Sequence, residues 1–181
     1  MEKITKPTFK VVITGPECTG KSTLSRQLSE YFEQPWLPEY ARTYLTDLNR
    51  RYKDDDLLEI AKGQINNEDE VLSNGASLAF FDTSIEVIKV WSEWKYKKCD
   101  PYILDHYNTR TADLYLLLLP DMAWEADPLR ENPHDRDIIF DIYKQELESR
   151  NKPFEIISGL GLLRTKRAIR IVENEIKKIN Q

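Results

Sequence analysis

The sequence predicts a three-layer α/β fold built around a central parallel sheet. Short apolar runs of strand length alternate along the chain with longer segments of helical character. Strands separated by helices of this length need right-handed crossovers, so they pair in parallel and the sheet is covered on both faces. The predicted strands are 9–14, 36–38, 78–81, 114–119 and 154–158, and the predicted helices are 21–32, 55–73, 85–97, 137–150 and 163–179.

Length and composition limit the class of protein. A chain of 181 residues can bury one sizeable core without a disulfide or a metal, so we expect a single domain over 1–181. The formal net charge of -5 argues against a broad nucleic-acid-binding face, which needs clustered Lys and Arg. Cys18 and Cys99 lie far apart without metal-ligand spacing, and the longest apolar run, LYLLLLP, is too short to cross a bilayer. We therefore expect a cytoplasmic protein that binds neither nucleic acid nor membrane. The sequence has no coiled-coil heptad pattern from which to predict an oligomeric state.

The stretch GPECTGKST, residues 15–23, has the spacing G-x-x-x-x-G-K-[ST] of a phosphate-binding loop. It lies between a predicted strand and a predicted helix, which is the context that such a loop needs. The glycines allow successive N–H groups to turn inward, and the helix N-terminus adds its positive end. Lys21 is expected to bridge the outer two phosphates. The predicted phosphate-binding residues are Gly15, Pro16, Glu17, Cys18, Thr19, Gly20, Lys21, Ser22 and Thr23.

A phosphate-binding loop of this kind works with a divalent cation. The Ser22 hydroxyl is expected to ligate Mg²⁺, and an acidic group is expected at the end of a neighbouring strand. FFDTS supplies Asp82 immediately after the apolar run LAFF. The alternative for Asp82 is an N-cap of the helix that is predicted to start near residue 85, although Ser84 can serve that role equally well.

Motifs and chain length narrow the class further. Signalling GTPases need an Asn-Lys-x-Asp element after a late strand, whereas the Asn-Lys-Pro at 151–153 precedes the last predicted strand and lacks the Asp. Motor and AAA-type ATPases usually need more chain for sensor and assembly elements. A small-molecule kinase is the economical solution at this length. The fold class is then a three-layer P-loop nucleotide-kinase-like fold.

Such a kinase must also neutralise the transferring phosphoryl group and exclude water during the transfer. Residues 121–136 combine Asp, Pro and Arg with weak periodicity, and we predict that they form a flap, or lid, over the site. Arg130 and Arg136 in the flap are candidate catalytic residues. Solvated surface charge is the alternative for each of them taken alone.

The phosphoryl acceptor is expected at the carboxyl ends of the strands, opposite the nucleotide. LPEYARTYL follows the short second strand and carries Glu39, Tyr40 and Arg42. Glu39 can hydrogen-bond a substrate hydroxyl and take its proton, and Tyr40 can stack on a flat ring. Helical packing is the alternative for Tyr40, since Tyr44 follows four residues later. Whether Glu39 or Asp82 is the base is left open.

Five stretches together resemble a known family. GPECTGKST, PEYARTYL, IAKGQ at 60–64, FFDTS and LLLLPDMAWEADPLRENP occur in the order found in the ribosylnicotinamide kinase domain of NadR-type bacterial proteins and their P-loop ATPase/kinase relatives. The resemblance spans roughly residues 9–173. The loop alone is shared by many families, but the Glu-Tyr-x-Arg, Ala-x-Gly-Gln and Leu-Pro-Asp-x-x-Trp elements are much more specific.

The resemblance implies a role for each matching residue. Residues 15–23 would bind the phosphates of ATP, Asp82 would serve the metal, and the flap would supply Arg130 and Arg136. Glu39, Tyr40 and Arg42 would face a riboside, and Gln64 would line the same pocket. The reaction implied is transfer of the γ-phosphate of ATP to the 5′-hydroxyl of nicotinamide riboside, with Mg²⁺, as a salvage step towards NAD.

Two departures from the family pattern stand out. The adenylyltransferase motif His-x-Gly-His and the DNA-binding helix-turn-helix of complete NadR-type proteins are missing, so we expect neither activity. Family members tend to carry an aromatic residue, often Trp, before the Glu-Tyr pair, where this chain has Pro38. Trp36, two residues earlier, and Trp124 in the flap are candidate replacements for stacking on the pyridinium ring; a core position is the alternative for Trp36.

The sequence thus predicts an ATP- and Mg²⁺-dependent small-molecule kinase acting on nicotinamide riboside. A kinase for another nucleoside or small metabolite is the nearest alternative, because the same carboxylate and arginines suit any ribose hydroxyl. A nucleotide-binding regulatory P-loop ATPase is the alternative outside metabolism.

Overall fold

The computed structural model describes residues 7–179, and within that range it has five strands and seven helices. The strands are β1 (Phe9–Thr14), β2 (Trp36–Leu37), β3 (Leu78–Asp82), β4 (Leu114–Leu118) and β5 (Phe154–Ile157). The helices are α1 (Lys21–Phe32), α2 (Tyr40–Asp47), α3 (Asp54–Ser73), α4 (Ile85–Tyr96), α5 (Pro101–Thr109), α6 (Arg136–Ser149) and α7 (Gly161–Ile179). All strands pair in parallel in one sheet of order β2-β3-β1-β4-β5.

The predicted α/β fold with a parallel sheet is confirmed, and two short helices are added to it. The five predicted strands and five predicted helices are present, with ends that differ by one or two residues. The prediction missed α2 and α5. Helix α5 begins at Pro101, where a proline without an N–H fits the first turn, and the Asp100 side chain accepts from the Tyr102 N–H at 2.8 Å as its cap.

The core has three parts, which follow from the alternation of side chains along the strands. Val11 and Ile13 of β1 face one side of the sheet, where α1 and α7 pack with Leu24, Leu28, Ala168 and Val172. Val12 faces the other side, where α4 and α6 pack with Val90, Ile139, Phe140 and Tyr143. A third cluster joins α2, α3, α4 and α5 beside the sheet.

The topology brings four loops together at one edge of the sheet. In parallel strands the carboxyl ends lie at the same edge, and the strand order places the ends of β2, β3, β1 and β4 side by side there. Glu39 follows β2, Asp82 ends β3, the phosphate loop (residues 15–23) follows β1, and the flap (residues 121–136) follows β4. The register sets Asp82 opposite Ile13. The candidate site residues therefore meet at this edge.

The flap carries no strand, and helix α6 begins at its last residue, Arg136. Within residues 7–179, no helix is both long and apolar enough to cross a membrane.

Candidate active site

The phosphate loop is a tight turn that only glycine allows at its two ends. Gly15 has φ +134, and a Cβ there would lie 2.8 Å from the carbonyl oxygen of Leu118, so the loop passes close to the end of β4. Gly20, at φ +78, is the N-cap of α1. Lys21 Nζ donates to the Pro16 carbonyl at 2.8 Å and so lies folded across the loop.

The N-terminus of α1 is suited to an anion. Its first turn has no acidic residue, and the Ser22 and Thr23 side chains there are exposed. The unpaired N–H groups and the positive end of the helix dipole favour phosphate oxygens at this position. The geometry is that of a phosphate cradle; the role of each loop residue stays a prediction.

Two carboxylates stand beside the loop. Asp82 is 1% exposed, and its Oδ1 atom has no hydrogen-bond partner. Glu39 is the N-cap residue of α2, but its side chain makes no cap hydrogen bond, which leaves the carboxylate available to the cavity. Burial raises the pKa of both groups, and the positive charges of Lys21 and Arg42 oppose that rise.

The oxygens at this place fit a magnesium ion. The Ser22 hydroxyl lies close enough to Asp82 to lower the pKa of that carboxyl, while Asp82 Oδ1 is left without a partner. Hard oxygen donors suit Mg²⁺, which usually takes one or two protein ligands and fills its other positions with water and phosphate. Within residues 7–179, no group of three or more His, Cys, Asp or Glu could hold a metal.

A cavity of about 240 Å³ opens between the loop, α2, α4, α6 and the flap. Its lining combines charged groups at the phosphate-loop end with apolar and aromatic side chains at the other. Besides residues 15–23, the lining consists of Glu39, Ala41, Arg42, Leu45, Val87, Val90, Trp91, Trp94, Leu129, Arg130, Asn132, Ile139 and Tyr143.

The sequence prediction missed the aromatic wall of this cavity. Trp91 and Trp94 project from α4, together with Val87 and Val90 of the same helix. The Trp91 Nε1–H donates to the Tyr52 hydroxyl at 2.9 Å, and the Trp94 Nε1–H donates to Asn132 Oδ1 at 3.0 Å. The sequence does place residues 87, 91 and 94 on one face of a helix. Such an apolar stripe fits a helix face packed in the core equally well, so it did not predict a cavity wall.

Four of the predicted substrate residues do not line the cavity. Trp36 lies on β2 opposite Phe80. Trp124 lies in the flap with its ring 5.7 Å from the guanidinium of Arg136. The Tyr40 ring packs against α3 and lies 6.3 Å from the ring of Tyr44, as its helical-packing alternative requires. Gln64 is only 2% exposed, and its amide binds protein atoms.

Packing holds these four side chains away from the cavity lining in this structure, and their riboside contacts stay predictions. Trp36 and Tyr40 belong to strand and helix faces that already have neighbours in the fold. The aromatic side chains that line the cavity are Trp91, Trp94 and Tyr143.

The arginines hold three different places. Arg130 lines the cavity and donates to the Glu125 carbonyl at 2.5 Å and to Cys18 Sγ at 3.4 Å. Arg136 does not line the cavity; it donates to the Met122 carbonyl at 2.9 Å and to the Cys18 carbonyl at 3.3 Å. Arg42 lines the cavity and pairs with Asp127 of the flap at 3.2 Å.

A further arginine supports the loop from outside and was not predicted. Arg164, in the first turn of α7, is 6% exposed, and its Nη1 donates to the Thr19 carbonyl at 2.7 Å. A Cβ on Gly20 would meet this guanidinium at 2.6 Å. No local pattern in the sequence marks Arg164, because the contact joins residues that are 145 positions apart.

The flap is fastened to the phosphate loop. Glu17 Oε2 accepts from the N–H groups of Glu131 and Asn132, both at 2.9 Å, and Glu17 Oε1 accepts from Asn132 Nδ2 at 3.3 Å. Cys18 Sγ accepts from the N–H of Glu125 at 3.3 Å. The cavity is therefore covered on its flap side by contacts that start from the loop itself.

Comparison with known proteins identifies the family. A protein family described as an AAA domain matches residues 10–161, from β1 to the first residue of α7. The match covers most of the chain. Chain length therefore does not separate this protein from proteins described as AAA domains, contrary to the expectation from the sequence.

The curated relatives include the trifunctional NAD biosynthesis/regulator protein NadR of Escherichia coli (strain K12), which is 28% identical over 159 residues. The aligned part is 82% of this chain and 38% of that protein. The chain thus spans well under half the length of the curated relatives that it matches.

The solved structures that match this chain include NadR as well. A crystal structure of NadR protein in complex with NR matches with a TM-score of 0.82 and 25% identity, over 93% of this chain and 51% of that chain. A NadR structure in complex with NAD and AMP-PNP matches with a TM-score of 0.77 and 25% identity, over 93% and 49%. Thymidylate kinase from Ehrlichia chaffeensis shares the fold alone, with a TM-score of 0.62, 14% identity, and coverage of 97% and 100%.

The sheet order, the phosphate loop after β1 and these matches agree with one another. The chain belongs to the family described as an AAA domain and has the α/β fold of the P-loop kinases.

Proposed function

We propose that this protein is an ATP-dependent kinase that phosphorylates the 5′-hydroxyl of nicotinamide riboside, a step of NAD salvage. The observation that carries the proposal is the single cavity that joins the phosphate loop, the Glu39 carboxylate and a tryptophan wall. The similarity to a NadR structure in complex with NR supports the proposal. The chain matches 51% of that structure, so the support concerns the matched part of NadR.

The phosphate loop would hold the nucleotide. On binding ATP, Lys21 would exchange its contact with the Pro16 carbonyl for the β- and γ-phosphates, and the N–H groups at the start of α1 would bind phosphate oxygens. Ser22 and Asp82 are the residues that would hold Mg²⁺. When bound there, Mg²⁺ supplies positive charge against the phosphate oxygens.

Glu39 would hold the acceptor hydroxyl. It lines the cavity across from Lys21, and burial raises its pKa, which brings a carboxylate closer to the range in which it can take a proton at neutral pH. Arg42 beside it favours the deprotonated form that a base needs. Asp82 is the alternative base; its position next to Ser22 fits the metal role better.

The tryptophan wall would hold the base of the riboside. The nicotinamide ring is flat and carries a positive charge, and the face of a tryptophan attracts such a ring. Trp91 and Trp94 are half-buried and line the cavity, and their indole N–H groups are bound elsewhere, to Tyr52 and Asn132. The Tyr52 ring meets the Trp91 ring at 5.0 Å and Lys97 Nζ lies 5.1 Å over the Trp94 ring, so the contact would be made by the surface of each indole that lines the cavity. This assignment replaces Trp36 and Trp124 as ring contacts.

The flap would complete the site during transfer. Arg130 faces the cavity and would stabilise the charge that develops on the transferring phosphoryl group, and Arg136 would hold the loop and the base of the flap together. The flap contacts through Glu17 would keep water out while the phosphoryl group moves.

The proposal includes a cellular setting. A kinase that draws on ATP and feeds NAD synthesis would work in the cytosol, without nucleic-acid or membrane partners. The free state of Cys18 and Cys99 is compatible with that reducing compartment.

The test compares turnover on a panel of acceptors with Mg·ATP. The panel contains nicotinamide riboside, its uncharged dihydro form, adenosine and thymidine. We expect the highest kcat/KM for nicotinamide riboside, roughly five- to thirtyfold above the dihydro form, because a desolvated cation over an aromatic face gains about 1–2 kcal/mol. Preference for adenosine or thymidine would favour the other-nucleoside alternative, and no product from any acceptor would favour the regulatory one.

A pair of variants tests the ring contact. Trp91→Leu is expected to reduce the preference for the charged riboside over the dihydro form. Trp36→Leu is the control, because Trp36 is also half-buried but does not line the cavity. Loss of the preference in Trp36→Leu and its retention in Trp91→Leu would contradict the assignment.

A further inference from the structure

A buried amide joins the two segments that carry the candidate catalytic carboxylates. Gln64, on α3, is 2% exposed. Its Oε1 accepts from the N–H of Tyr40 at 3.1 Å, and Tyr40 directly follows Glu39. Its Nε2 donates to the carbonyl of Thr83 at 3.4 Å, and Thr83 directly follows Asp82. One side chain thus links the backbone beside Glu39 to the backbone beside Asp82.

The orientation of this amide is fixed by its partners. Nε2 also donates to Glu68 Oε1 at 3.3 Å. A carboxylate only accepts and a backbone N–H only donates, so the amide can face its partners in one way. Glu68 is itself fully buried and held by Lys10 Nζ at 2.5 Å and by the Ser84 hydroxyl at 2.6 Å.

The segment after Asp82 has a conformation that needs such a contact. Thr83 has φ +68, which is strained for a β-branched residue. Its N–H donates to the Ile13 carbonyl at 3.0 Å, and its own carbonyl accepts from Gln64. The peptide after Asp82 is therefore held from the sheet on one side and from α3 on the other.

We propose that Gln64 is a positioning residue, which holds Glu39 and Asp82 at the separation that phosphoryl transfer needs without touching either substrate. A buried hydrogen bond to each backbone segment fixes their distance, and Glu68 with Lys10 fixes the amide. Misplacement of a reacting group by about 1 Å can cost on the order of a hundredfold in rate. The kinetic consequence rests on the proposed function.

The first variant is Gln64→Met, which keeps the length of the side chain and removes both backbone contacts. We expect kcat to fall by roughly ten- to a hundredfold and the KM for Mg·ATP to rise by less, because the phosphate loop is untouched and only Asp82, on the metal side of the nucleotide site, shifts. The matched control is Gln27→Met. The Gln27 amide also bonds inside the protein, to Thr165 at 2.8 Å, but lies next to neither carboxylate.

A second variant keeps the side-chain shape and changes only the contacts of Nε2. Gln64→Glu keeps the shape and the contact with Tyr40, but places an acceptor opposite the Thr83 carbonyl and Glu68. We expect the same loss of kcat, again larger than the rise in the KM for Mg·ATP. Variants are compared at a temperature well below the lowest Tm of the set, so that a merely structural role does not lower kcat.

Crystal structures of the wild type and a Gln64 variant give a readout that needs no activity. We expect the distance between the Tyr40 N atom and the Thr83 O atom to increase in the variant. An unchanged distance would overturn the proposal, and so would a kcat within twofold of the Gln27→Met control. If the wild type phosphorylates no riboside, the proposed function fails, and the structural distance alone decides the role of Gln64.

Discussion

Burial and charge act in opposite directions on Glu39. Burial raises its pKa, and Lys21 and Arg42 lower it in part. A base works in its deprotonated form, so the rate of phosphoryl transfer is expected to rise with pH through the raised pKa of this carboxyl. The negative charge of Asp82 also raises the pKa of Glu39, because two nearby carboxylates repel one another.

The variant Glu39→Gln separates the base from the nucleotide site. It keeps the shape of the side chain and removes its basicity, so we expect the rate of acceptor phosphorylation to fall by at least about a hundredfold. Binding of Mg·ATP, measured by calorimetry, should persist because the phosphate loop is intact. A rate close to that of the wild type would leave Asp82 as the base.

Lys21 is the residue that the phosphate cradle depends on most. Lys21→Ala removes the ammonium group that would meet the β- and γ-phosphates, so we expect kcat/KM to fall by on the order of a hundredfold or more. Lys178→Ala is the control, because that lysine is exposed near the end of α7, far from the phosphate loop in sequence, and pairs with Glu175. Equal activity of the two variants would refute the cradle assignment.

At the scale of elements, the flap is held by the loop that it covers. Glu17 binds two N–H groups and one side chain of the flap, and Arg42 of α2 binds Asp127. In the proposed mechanism, these contacts connect the flap to both the phosphate site and the acceptor site. Breaking these contacts of the flap should therefore admit water to the transferring phosphoryl group.

Glu17→Ala tests this coupling. We expect the ratio of ATP hydrolysis to riboside phosphorylation to rise by at least about fivefold, measured from ADP and product formed in one assay. Glu30→Ala is the control, because Glu30 is an exposed residue of α1 paired only with Arg26. A hydrolysis ratio equal to that of the control would show that Glu17 does not govern water exclusion.

The elements also show what a sequence can and cannot predict. The β1 strand, the phosphate loop and α1 follow from local patterns, and so do the other four strands, because short continuous apolar runs and glycine turns are short-range signals. Helix α2 spans only Tyr40–Asp47, and its few apolar positions gave a weak periodicity. The aromatic wall was missed because Trp91 and Trp94 sit at helical spacing that fits a core equally well.

Contacts between distant residues were beyond prediction. Lys10 pairs with Glu68, 58 positions away, and Arg164 binds the loop from 145 positions away. Gln64 was expected to line the pocket because its motif matched, but its contacts with Tyr40 and Thr83 follow only from the packing of α3. Local patterns contain the chemistry of the loop, whereas packing decides which side chains reach the cavity.

At the scale of the whole molecule, one buried acid links stability to pH. Glu86, in the first turn of α4, is 4% exposed, and its Oε1 atom has no partner. Burial raises its pKa to about 7 from 4.5. The folded protein binds this proton more tightly than the unfolded chain does, so stability is highest below pH 4.5 for this group and falls as the pH rises to about 7.

Glu86→Gln removes that dependence. Each pKa unit corresponds to about 1.4 kcal/mol, so the variant should be more stable than the wild type by roughly 3 kcal/mol at pH 8, with a smaller gain at pH 5. Denaturant unfolding at both pH values measures the difference. The same difference at pH 5 and pH 8 would contradict the assignment of the shift to Glu86.

The central claim is that the cavity transfers the γ-phosphate of ATP to nicotinamide riboside. The most direct measurement incubates the purified protein with Mg·ATP labelled with ¹⁸O in the γ-phosphate and with nicotinamide riboside, followed by mass spectrometry. The account predicts nicotinamide mononucleotide that carries the label, in amounts that match the ADP formed. ADP without labelled mononucleotide, or no turnover at all, would contradict it.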